Sequence, residues 1–229
     1  MRGPLAVMAA CGVLAAACAG SDEPRILERA PESPDAALHY LFYLHGRIIE
    51  VEGPDAVSPV FGRYEYHRIL EAFAERGFVV VAEVREDGAG AVFVAETAEQ
   101  VRGLLEAGVP ADHITVMGFS KGGFLALGVS ARVAHEGVGY AILAGCSRGA
   151  EWAERMGPQL RGRFLSLFDS ADRLSPSCKS LFAHAEHVRE KTEHVFDSGL
   201  DHGHFYSPRE DWVDRVAAWA REGDAPESP

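Results

Sequence analysis

A serine stands in the tightest turn of residues 114–127, ITVMGFSKGGFLAL. The segment begins as an apolar strand, turns through Gly118, Ser120 and Gly122, and continues as an apolar helix. A serine on a sharp bend between a strand and a helix is held clear of the backbone, where its hydroxyl is able to attack a carbonyl carbon. An ordinary glycine-rich turn has the same composition, so this pattern by itself does not establish a nucleophile.

The same Gly-x-Ser-x-Gly pattern occurs a second time, at Gly145-Cys-Ser147-Arg-Gly149, again between a strand and a helix. Two matches in one chain show that the motif has low specificity. Ser120 and Ser147 are therefore both candidates, and the other residues of a nucleophilic site have to separate them.

Acids and histidines that could serve such a serine follow it in the chain. Asp169 and Asp172 lie in FDSADRLSP, and His202 and His204 lie in DHGHF. In a serine triad, a histidine takes the proton from the attacking hydroxyl, and a carboxylate holds the imidazole in the required tautomer. Either aspartate could instead cap the segment that follows it.

The same histidines raise the question of a metal site. Asp201, His202 and His204 are close in sequence, but the chain offers no convincing further ligands elsewhere. We therefore predict no metal and no cofactor.

Alternating apolar segments position these residues. The predicted strands are 38–46, 78–86, 114–120, 139–145, 163–170 and 193–199. The predicted helices are 64–77, 96–108, 121–134, 150–157, 178–188 and 207–222. Near-continuous apolar strands that alternate with helices predict an α/β fold, with a mostly parallel central sheet and helices on both faces. Ligands bind at the carboxyl ends of the strands in such sheets, which is where the candidate residues lie.

Residues 38–219 resemble the α/β-hydrolase family. The similarity rests on YLHG, MGFSKGG, FDSADRLSP and GLDHGHF, which occur in the order that the family uses. In that fold, one strand ends in the His-Gly turn, and the nucleophile follows the strand beside it. Ser120 fits this count, whereas Ser147 comes one strand too late. The resemblance therefore implies that Ser120 is the nucleophile.

The resemblance also selects the acid and the base. Asp172 begins the run Asp-Arg-Leu-Ser-Pro, which is similar to the family's aspartate, short apolar step and proline, and we prefer it to Asp169. His202 precedes a glycine, as the family's histidine does, and we prefer it to His204. The implied triad is Ser120, Asp172 and His202.

An oxyanion hole follows from the same resemblance. Its donors would be the backbone N–H groups of Lys121 and of Arg47, the residue after the His-Gly turn. We expect the Lys121 side chain to be solvated and the Arg47 side chain to pair with Glu50. The supporting turns would be formed by His45, Gly46, Gly118 and Gly122.

Segment lengths indicate a minimal version of this fold. Little chain precedes the first clear strand, so the antiparallel hairpin that often begins the fold is expected to be reduced or absent. About one helix of chain links the strand ending at Gly145 to the strand near Arg163, which leaves no room for a cap domain. We therefore expect an open cleft.

These residues together predict a serine hydrolase that cleaves a small-molecule carboxylic ester through an acyl-enzyme intermediate. A serine peptidase or a thioesterase would use the same acyl-transfer machinery. A third alternative is a non-catalytic exported protein that keeps the scaffold for binding.

Length and composition indicate one domain, and the net charge argues against some classes of partner. The chain has 229 residues, of which 47% are hydrophobic and 24% charged, as expected for one globular domain at 37–222. Its formal net charge is −12, which argues against nucleic acid and against adsorption to an anionic membrane surface.

The N-terminal segment has the pattern of an export signal. One arginine precedes an apolar run that is too short to span a membrane, which favours a signal peptide at 1–19 over an uncleaved anchor. LAAAC is similar to a bacterial lipobox, so Cys18 is predicted to be lipidated, and simple secretion is the alternative. Membrane contact is expected only through this lipid anchor. Polar residues predict a linker at 20–36 and a disordered tail at 223–229.

Two cysteines remain once the leader is removed. Cys146 and Cys178 are an even pair in an exported protein, and a disulfide between them would tie together two loops beside the acid. The alternative is a pair of small buried apolar side chains.

Overall fold

The structure, a computed structural model, describes residues 25–146, 149–175 and 177–221. Nine strands and seven α-helices lie within these residues. The predicted signal peptide 1–19 with Cys18, the predicted tail 223–229 and the alternative serine Ser147 lie outside the described residues.

A parallel sheet organises the chain. The strands are β1 (Ile26–Leu27), β2 (His39–Leu44), β3 (Val57–Ser58), β4 (Gly62–Arg63), β5 (Phe78–Val81), β6 (Ile114–Phe119), β7 (Gly139–Leu143), β8 (Gly162–Asp169) and β9 (Val188–Phe196). Strands β3 and β4 form a separate antiparallel hairpin. The other seven form one sheet in the order β1-β5-β2-β6-β7-β8-β9, and every neighbouring pair in it is parallel.

Helices cover both faces of this sheet. They are α1 (Arg47–Glu52), α2 (Tyr66–Glu75), α3 (Ala91–Glu106), α4 (Lys121–Val133), α5 (Ala150–Met156), α6 (Lys179–Ala183) and α7 (Glu210–Arg221). Buried residues of α2 and α7 belong to one apolar layer, and buried residues of α3, α4, α5 and α6 belong to the other. The predicted fold class, a mostly parallel sheet with helices on both faces, is confirmed.

Strand β2 shows why the strands read as continuous apolar runs. Tyr40, Phe42 and Leu44 pack in the layer that contains α3 and α4, whereas Leu41 and Tyr43 pack in the layer that contains α2 and α7. Successive side chains of a strand point to opposite faces of the sheet. Since both faces are covered, polar positions do not alternate with apolar ones.

The segment predicted as a linker is partly folded. Residues 25–36 contain β1, which adds to the edge of the sheet beside β5. Backbone N–H groups of Val80 and Ala82 donate to the carbonyl oxygens of Arg25 and Leu27, both at 2.8 Å. Without β1, strand β5 would be at the edge of the sheet with unpaired backbone groups, and residues 25–27 pair with these groups. The polar composition of residues 25–36 does not reveal this pairing. The predicted domain start at residue 37 is therefore too late.

The helix predicted at 178–188 and the strand predicted at 193–199 have different bounds in the structure. Helix α6 ends at Ala183, not at residue 188, and β9 begins at Val188, five residues before the predicted strand. Strand β8 has eight residues, and β9 pairs along its whole length. Because β9 is an edge strand with a largely solvated sequence, VREKTEHVF, it lacks the apolar run that marks a buried strand.

The carboxyl ends of the parallel strands gather the candidate residues at one edge of the sheet. His45 follows β2, Ser120 follows β6, Asp172 follows β8 and His202 follows β9.

All seven strands of the described sheet run the same way, so no antiparallel pair begins it. Between β7 and β8, the described residues form only α5 and a 3₁₀ turn at Gly157–Gln159, as expected for a chain without a cap domain. Within the described ranges, no helix is long and apolar enough to cross a bilayer.

A disulfide ties two loops at this edge. Cys146 lies after β7 and Cys178 lies directly before α6, with their Cα atoms 5.2 Å apart. The backbone N–H of Cys178 also donates to Glu193 Oε2 of β9 at 2.7 Å. The bond therefore links the loop after β7 to the loop after β8, which carries Asp172.

Loss of this disulfide should destabilise the folded state. The bond closes a loop with a sequence separation of 32 residues, and loop-closure entropy predicts a contribution of about 4 kcal/mol to the free energy of unfolding. We expect the double variant Cys146→Ser/Cys178→Ser to lose most of this amount in urea unfolding. Dithiothreitol should destabilise the wild-type protein and leave the double variant unchanged. Equal unfolding free energies for the two oxidised proteins would contradict the prediction.

Candidate active site

Ser120 lies in a strained turn between β6 and α4. Its φ of 54° and ψ of −117° are unusual for a residue with a side chain. A Cβ atom on Gly118 would overlap the backbone of Gly122, and a Cβ atom on Gly122 would overlap the backbone of Leu44 and His45. Only glycine fits at these two positions, and their close approach bends the chain sharply at Ser120.

Asp172 and His202 form a buried pair. Asp172 Oδ2 lies 2.7 Å from His202 Nδ1, and both side chains are almost fully buried. The other carboxylate oxygen accepts the backbone N–H groups of Leu174 and Ser175 at 2.8 and 2.9 Å. This carboxylate is thus held on one side by the backbone and on the other by the imidazole. An Nδ1–H that donates to Asp172 leaves Nε2 free of a proton, as a general base requires.

Two aromatic rings hold the imidazole beside the serine turn. The centroid of the His202 ring lies 4.7 Å from that of Phe119, the residue directly before Ser120. The centroid of the Phe61 ring lies 6.0 Å from that of His202, and the Phe61 side chain also packs against Gly203. Phe61 belongs to the β3–β4 hairpin and was missed in the sequence, because nothing local marks a phenylalanine as a neighbour of a residue 141 positions away.

The alternative acid and the alternative histidine occupy a second cluster. Asp169 Oδ2 accepts the N–H and the hydroxyl of Ser198 at 2.9 and 2.6 Å. Ser198 Oγ lies 2.9 Å from His204 Nδ1, so it bridges the two side chains. Burial opposes ionisation of Asp169, but hydrogen bonds from Ser198 and Ala171 outweigh it and lower the pKa of the carboxyl group. The structure therefore pairs His202 with Asp172, and it groups Asp169 with His204.

Both expected oxyanion donors lie at the first residue of a helix. Arg47 begins α1 after Gly46, and Lys121 begins α4 after Ser120. Backbone N–H groups in the first turn of a helix have no acceptor within that helix. The two turns are close, since a Cβ atom on Gly46 would lie 3.8 Å from Cβ of Ser120. The arrangement can direct two backbone donors toward a group bound at Ser120.

His45 has a structural role beneath this turn. Its Nε2 accepts the N–H of Arg85 at 3.0 Å, and its Nδ1 donates to the carbonyl oxygen of Gly46 at 2.9 Å. Burial and the positive charge of Arg85 lower the pKa of His45 to about 3. The imidazole is therefore neutral at physiological pH, and both of its nitrogens are used to hold the backbone.

The contacts of the buried Glu50 carboxylate show that the expectations for the Lys121 and Arg47 side chains were wrong. Glu50 Oε1 accepts Arg85 Nε at 2.6 Å, and Glu50 Oε2 pairs with Lys121 Nζ. The Lys121 side chain is therefore ion-paired and 26% exposed, not freely solvated. Arg47 is exposed, and Glu50 turns away from it into the protein. The local i,i+3 spacing suggested the wrong partner, because the turn brings two cations from other elements to Glu50.

Arg85 was missed in the sequence. It lies only four residues beyond the end of β5, and its guanidinium also donates to the carbonyl oxygen of His45. A charged residue just past the carboxyl end of a buried strand was the available signal.

Among the described residues, no cluster of three or more histidine, cysteine, aspartate or glutamate side chains could hold a metal ion.

The neutral state of His45 should appear in the pH dependence of stability. Between pH 6.5 and about 3, the unfolded chain protonates His45 while the folded chain does not. The free energy of unfolding should therefore decrease as the pH falls, by up to about 1.4 kcal/mol per pH unit from this group. We expect the decrease to be shallower in His45→Gln, whose amide oxygen can still accept the Arg85 N–H.

Urea unfolding of both proteins between pH 7 and pH 4 measures this difference. Subtracting the two curves removes the contributions of other groups, including His194 and His204, whose pKa values burial also lowers. Parallel curves for the wild type and His45→Gln would show that His45 is not the buried neutral group that we describe.

Several solved structures are similar to this chain. The crystal structure of a monoacylglycerol lipase from Paleococcus ferrophilus matches with a TM-score of 0.58 and 14% identity, over 80% of this chain and 94% of that one. An esterase/lipase from an uncultured bacterium matches with a TM-score of 0.53 and 17% identity, over 85% and 79%. A predicted CIB-like hydrolase from Thermoplasma acidophilum matches with a TM-score of 0.51 and 17% identity, over 82% and 89%.

No protein-family model matches the sequence, and no curated protein sequence matches it. At 14–17% identity, the structural matches bear on the fold alone. They extend over 80–85% of this chain. This chain has the α/β-hydrolase fold.

Proposed function

We propose that this protein is a serine hydrolase that cleaves a small-molecule carboxylic ester through an acyl-enzyme intermediate. Ser120 is the nucleophile, His202 the general base and Asp172 the acid that orients it. The observation that carries the proposal is the 2.7 Å contact between His202 Nδ1 and Asp172 Oδ2, with the His202 ring packed on Phe119, directly before the strained Ser120.

Acylation follows from these roles. His202 Nε2 takes the proton of the Ser120 hydroxyl as Ser120 Oγ attacks the ester carbonyl carbon. The carbonyl oxygen becomes an oxyanion, which accepts hydrogen bonds from the backbone N–H groups of Arg47 and Lys121. The intermediate then collapses, the bond to the alcohol breaks, and the alcohol leaves with the proton from His202.

Deacylation repeats these steps with water as the nucleophile. His202 takes a proton from water, and the hydroxide attacks the acyl carbon of the Ser120 ester. The second oxyanion occupies the same two donors, and its collapse releases the carboxylic acid and returns the proton to Ser120. Asp172 stabilises the imidazolium that forms in each half-reaction and is not protonated itself.

An ester is favoured over the other acyl substrates by the similar structures, whose names are those of a lipase and an esterase/lipase. A peptidase or a thioesterase would use the same residues. The different class of function, a non-catalytic binding protein, is disfavoured because the buried Asp172–His202 pair and the strained Ser120 turn have no evident use in a scaffold that only binds.

Covalent labelling tests the nucleophile. We expect a fluorophosphonate probe to label the wild-type protein and Ser147→Ala, and to leave Ser120→Ala unlabelled. Turnover of p-nitrophenyl esters of graded acyl length should be lost in Ser120→Ala only. Labelling that persists in Ser120→Ala and disappears in Ser147→Ala would contradict the assignment. No labelling of the folded wild-type protein would favour the binding protein.

The two aspartates provide a matched test of the acid. Asp172→Asn should lower kcat by roughly three to four orders of magnitude, because the amide no longer holds His202 in the required tautomer. Asp169→Asn removes another buried carboxylate and should lower the melting temperature, while the folded protein keeps its turnover. Retained activity in Asp172→Asn together with lost activity in folded Asp169→Asn would reverse the assignment.

A further inference from the structure

A buried ion cluster joins the two turns that the proposed reaction requires. Glu50 lies in α1, and its side chain is fully buried. It pairs with Arg85, whose side chain is 1% exposed, at 2.6 Å, and with the ammonium group of Lys121. Lys121 directly follows Ser120, so one carboxylate connects α1 with the nucleophile turn.

Such a cluster is poorly explained by stability alone. Removing a carboxylate and a guanidinium from water is costly, and an apolar cluster of similar volume is often as stable. Arg85 Nη1 is buried and has no hydrogen-bond partner among the described residues. Nη2 of the same side chain donates to the carbonyl oxygen of His45, one residue before Gly46. The guanidinium also lies over the Phe93 ring of α3, with Cζ 5.4 Å from the ring centroid, but each hydrogen bond and ion pair of the cluster involves one of the two turns.

The backbones of the two turns are packed together, but among the described residues no backbone hydrogen bond joins them. The ladder between β2 and β6 ends at the pair Leu44 and Gly118. Beyond this pair, the N–H of Ser120 donates to the carbonyl oxygen of Leu143 in β7, on the side away from β2. The contact between Glu50 and Lys121 therefore adds a polar link to the close packing of Gly122 against Leu44 and His45.

We propose that Glu50 is a positioning residue for the oxyanion hole. Through its ion pairs with Lys121 and Arg85, it fixes the distance between the backbone N–H of Arg47 and the backbone N–H of Lys121. These donors belong to different helices, and both must reach the same oxygen atom at hydrogen-bonding distance. The inference rests on the proposed function, and it assigns the Lys121 side chain a role separate from that of its backbone.

Substitution of the Lys121 side chain isolates this role, because every variant keeps the backbone N–H. We expect Lys121→Met to lower kcat for a p-nitrophenyl ester about 10- to 100-fold, with KM changed less than about twofold, since the donors act mainly in the transition state. The affinity of an aryl boronic acid, which forms a tetrahedral adduct with the serine, should fall by a similar factor. Lys121→Arg keeps the ion pair and should recover most of the activity.

Glu50→Gln separates positioning from charge. The cluster holds two cations and one carboxylate, so Glu50→Gln makes it more positive, whereas Lys121→Met makes it less positive. If the role of the cluster were only to supply positive charge to the oxyanion, Glu50→Gln would be at least as active as the wild type. If the cluster positions the two donors, Glu50→Gln should have a lower kcat than the wild type, as Lys121→Met should.

A matched control removes a cation elsewhere. Arg68 pairs with Glu65 on the surface of α2 at 2.6 Å, and Arg68→Met should leave kcat, KM and boronate affinity unchanged. Melting curves show whether each variant is folded at the assay temperature. If Glu50→Gln does not fold, Lys121→Met still keeps the proposal falsifiable, because it leaves the pair between Glu50 and Arg85 intact and wild-type kcat in it would overturn the proposal.

Several outcomes overturn the proposal. Wild-type kcat in folded Lys121→Met, a loss confined to KM, or a Glu50→Gln variant faster than wild type would each do so. If the fluorophosphonate labels Ser120 while Lys121→Met behaves as wild type, the positioning role fails and the proposed function stands. If Ser120 is not labelled in the folded protein, the proposed function fails and the positioning role fails with it.

Discussion

The close approach of backbone at the start of α4 is the constraint around which the site is arranged. No Cβ atom fits at Gly118, which faces the backbone of Gly122, or at Gly122, which faces the end of β2. Helix α4 therefore begins directly beyond the ends of β2 and β6, and Ser120 adopts a positive φ at the sharp bend before it. The same contact brings the turn after β2, with Gly46, to the serine. One steric condition thus places a half-buried serine on a sharp bend and brings the start of another helix beside it.

The three histidines near the carboxyl edge of the sheet, His45, His202 and His204, have different hydrogen-bond partners. His45 is neutral because burial and Arg85 disfavour its charged form, and both of its nitrogens hold backbone. His202 contacts Asp172 through Nδ1, and the proposed reaction assigns the proton transfer to Nε2. His204 is held by Ser198. The environments of these three histidines at one sheet edge therefore differ because their partners differ.

Much of the site could be predicted from the sequence because it depends on chain order and local packing. Glycines that flank a serine between an apolar strand and an apolar helix indicate a tight turn wherever they occur. The side-chain partners could not be predicted in this way. Glu50 was expected to pair with Arg47 at a helical spacing, but it pairs with Arg85 and Lys121, which lie 35 and 71 positions away. Likewise, Phe61 reaches His202 only because a hairpin folds over the sheet edge.

The sequence by itself determined the alternation of strands and helices, the parallel sheet and the turn at Ser120. These follow from apolar periodicity and from the requirement for glycine, which are properties of neighbouring residues. Only the tertiary structure decided which acid meets which histidine, that Ile26–Leu27 extends the sheet, and that one buried carboxylate joins the two turns. Those contacts arise between distant segments, because burial leaves polar groups few partners and the fold determines which of them are within reach.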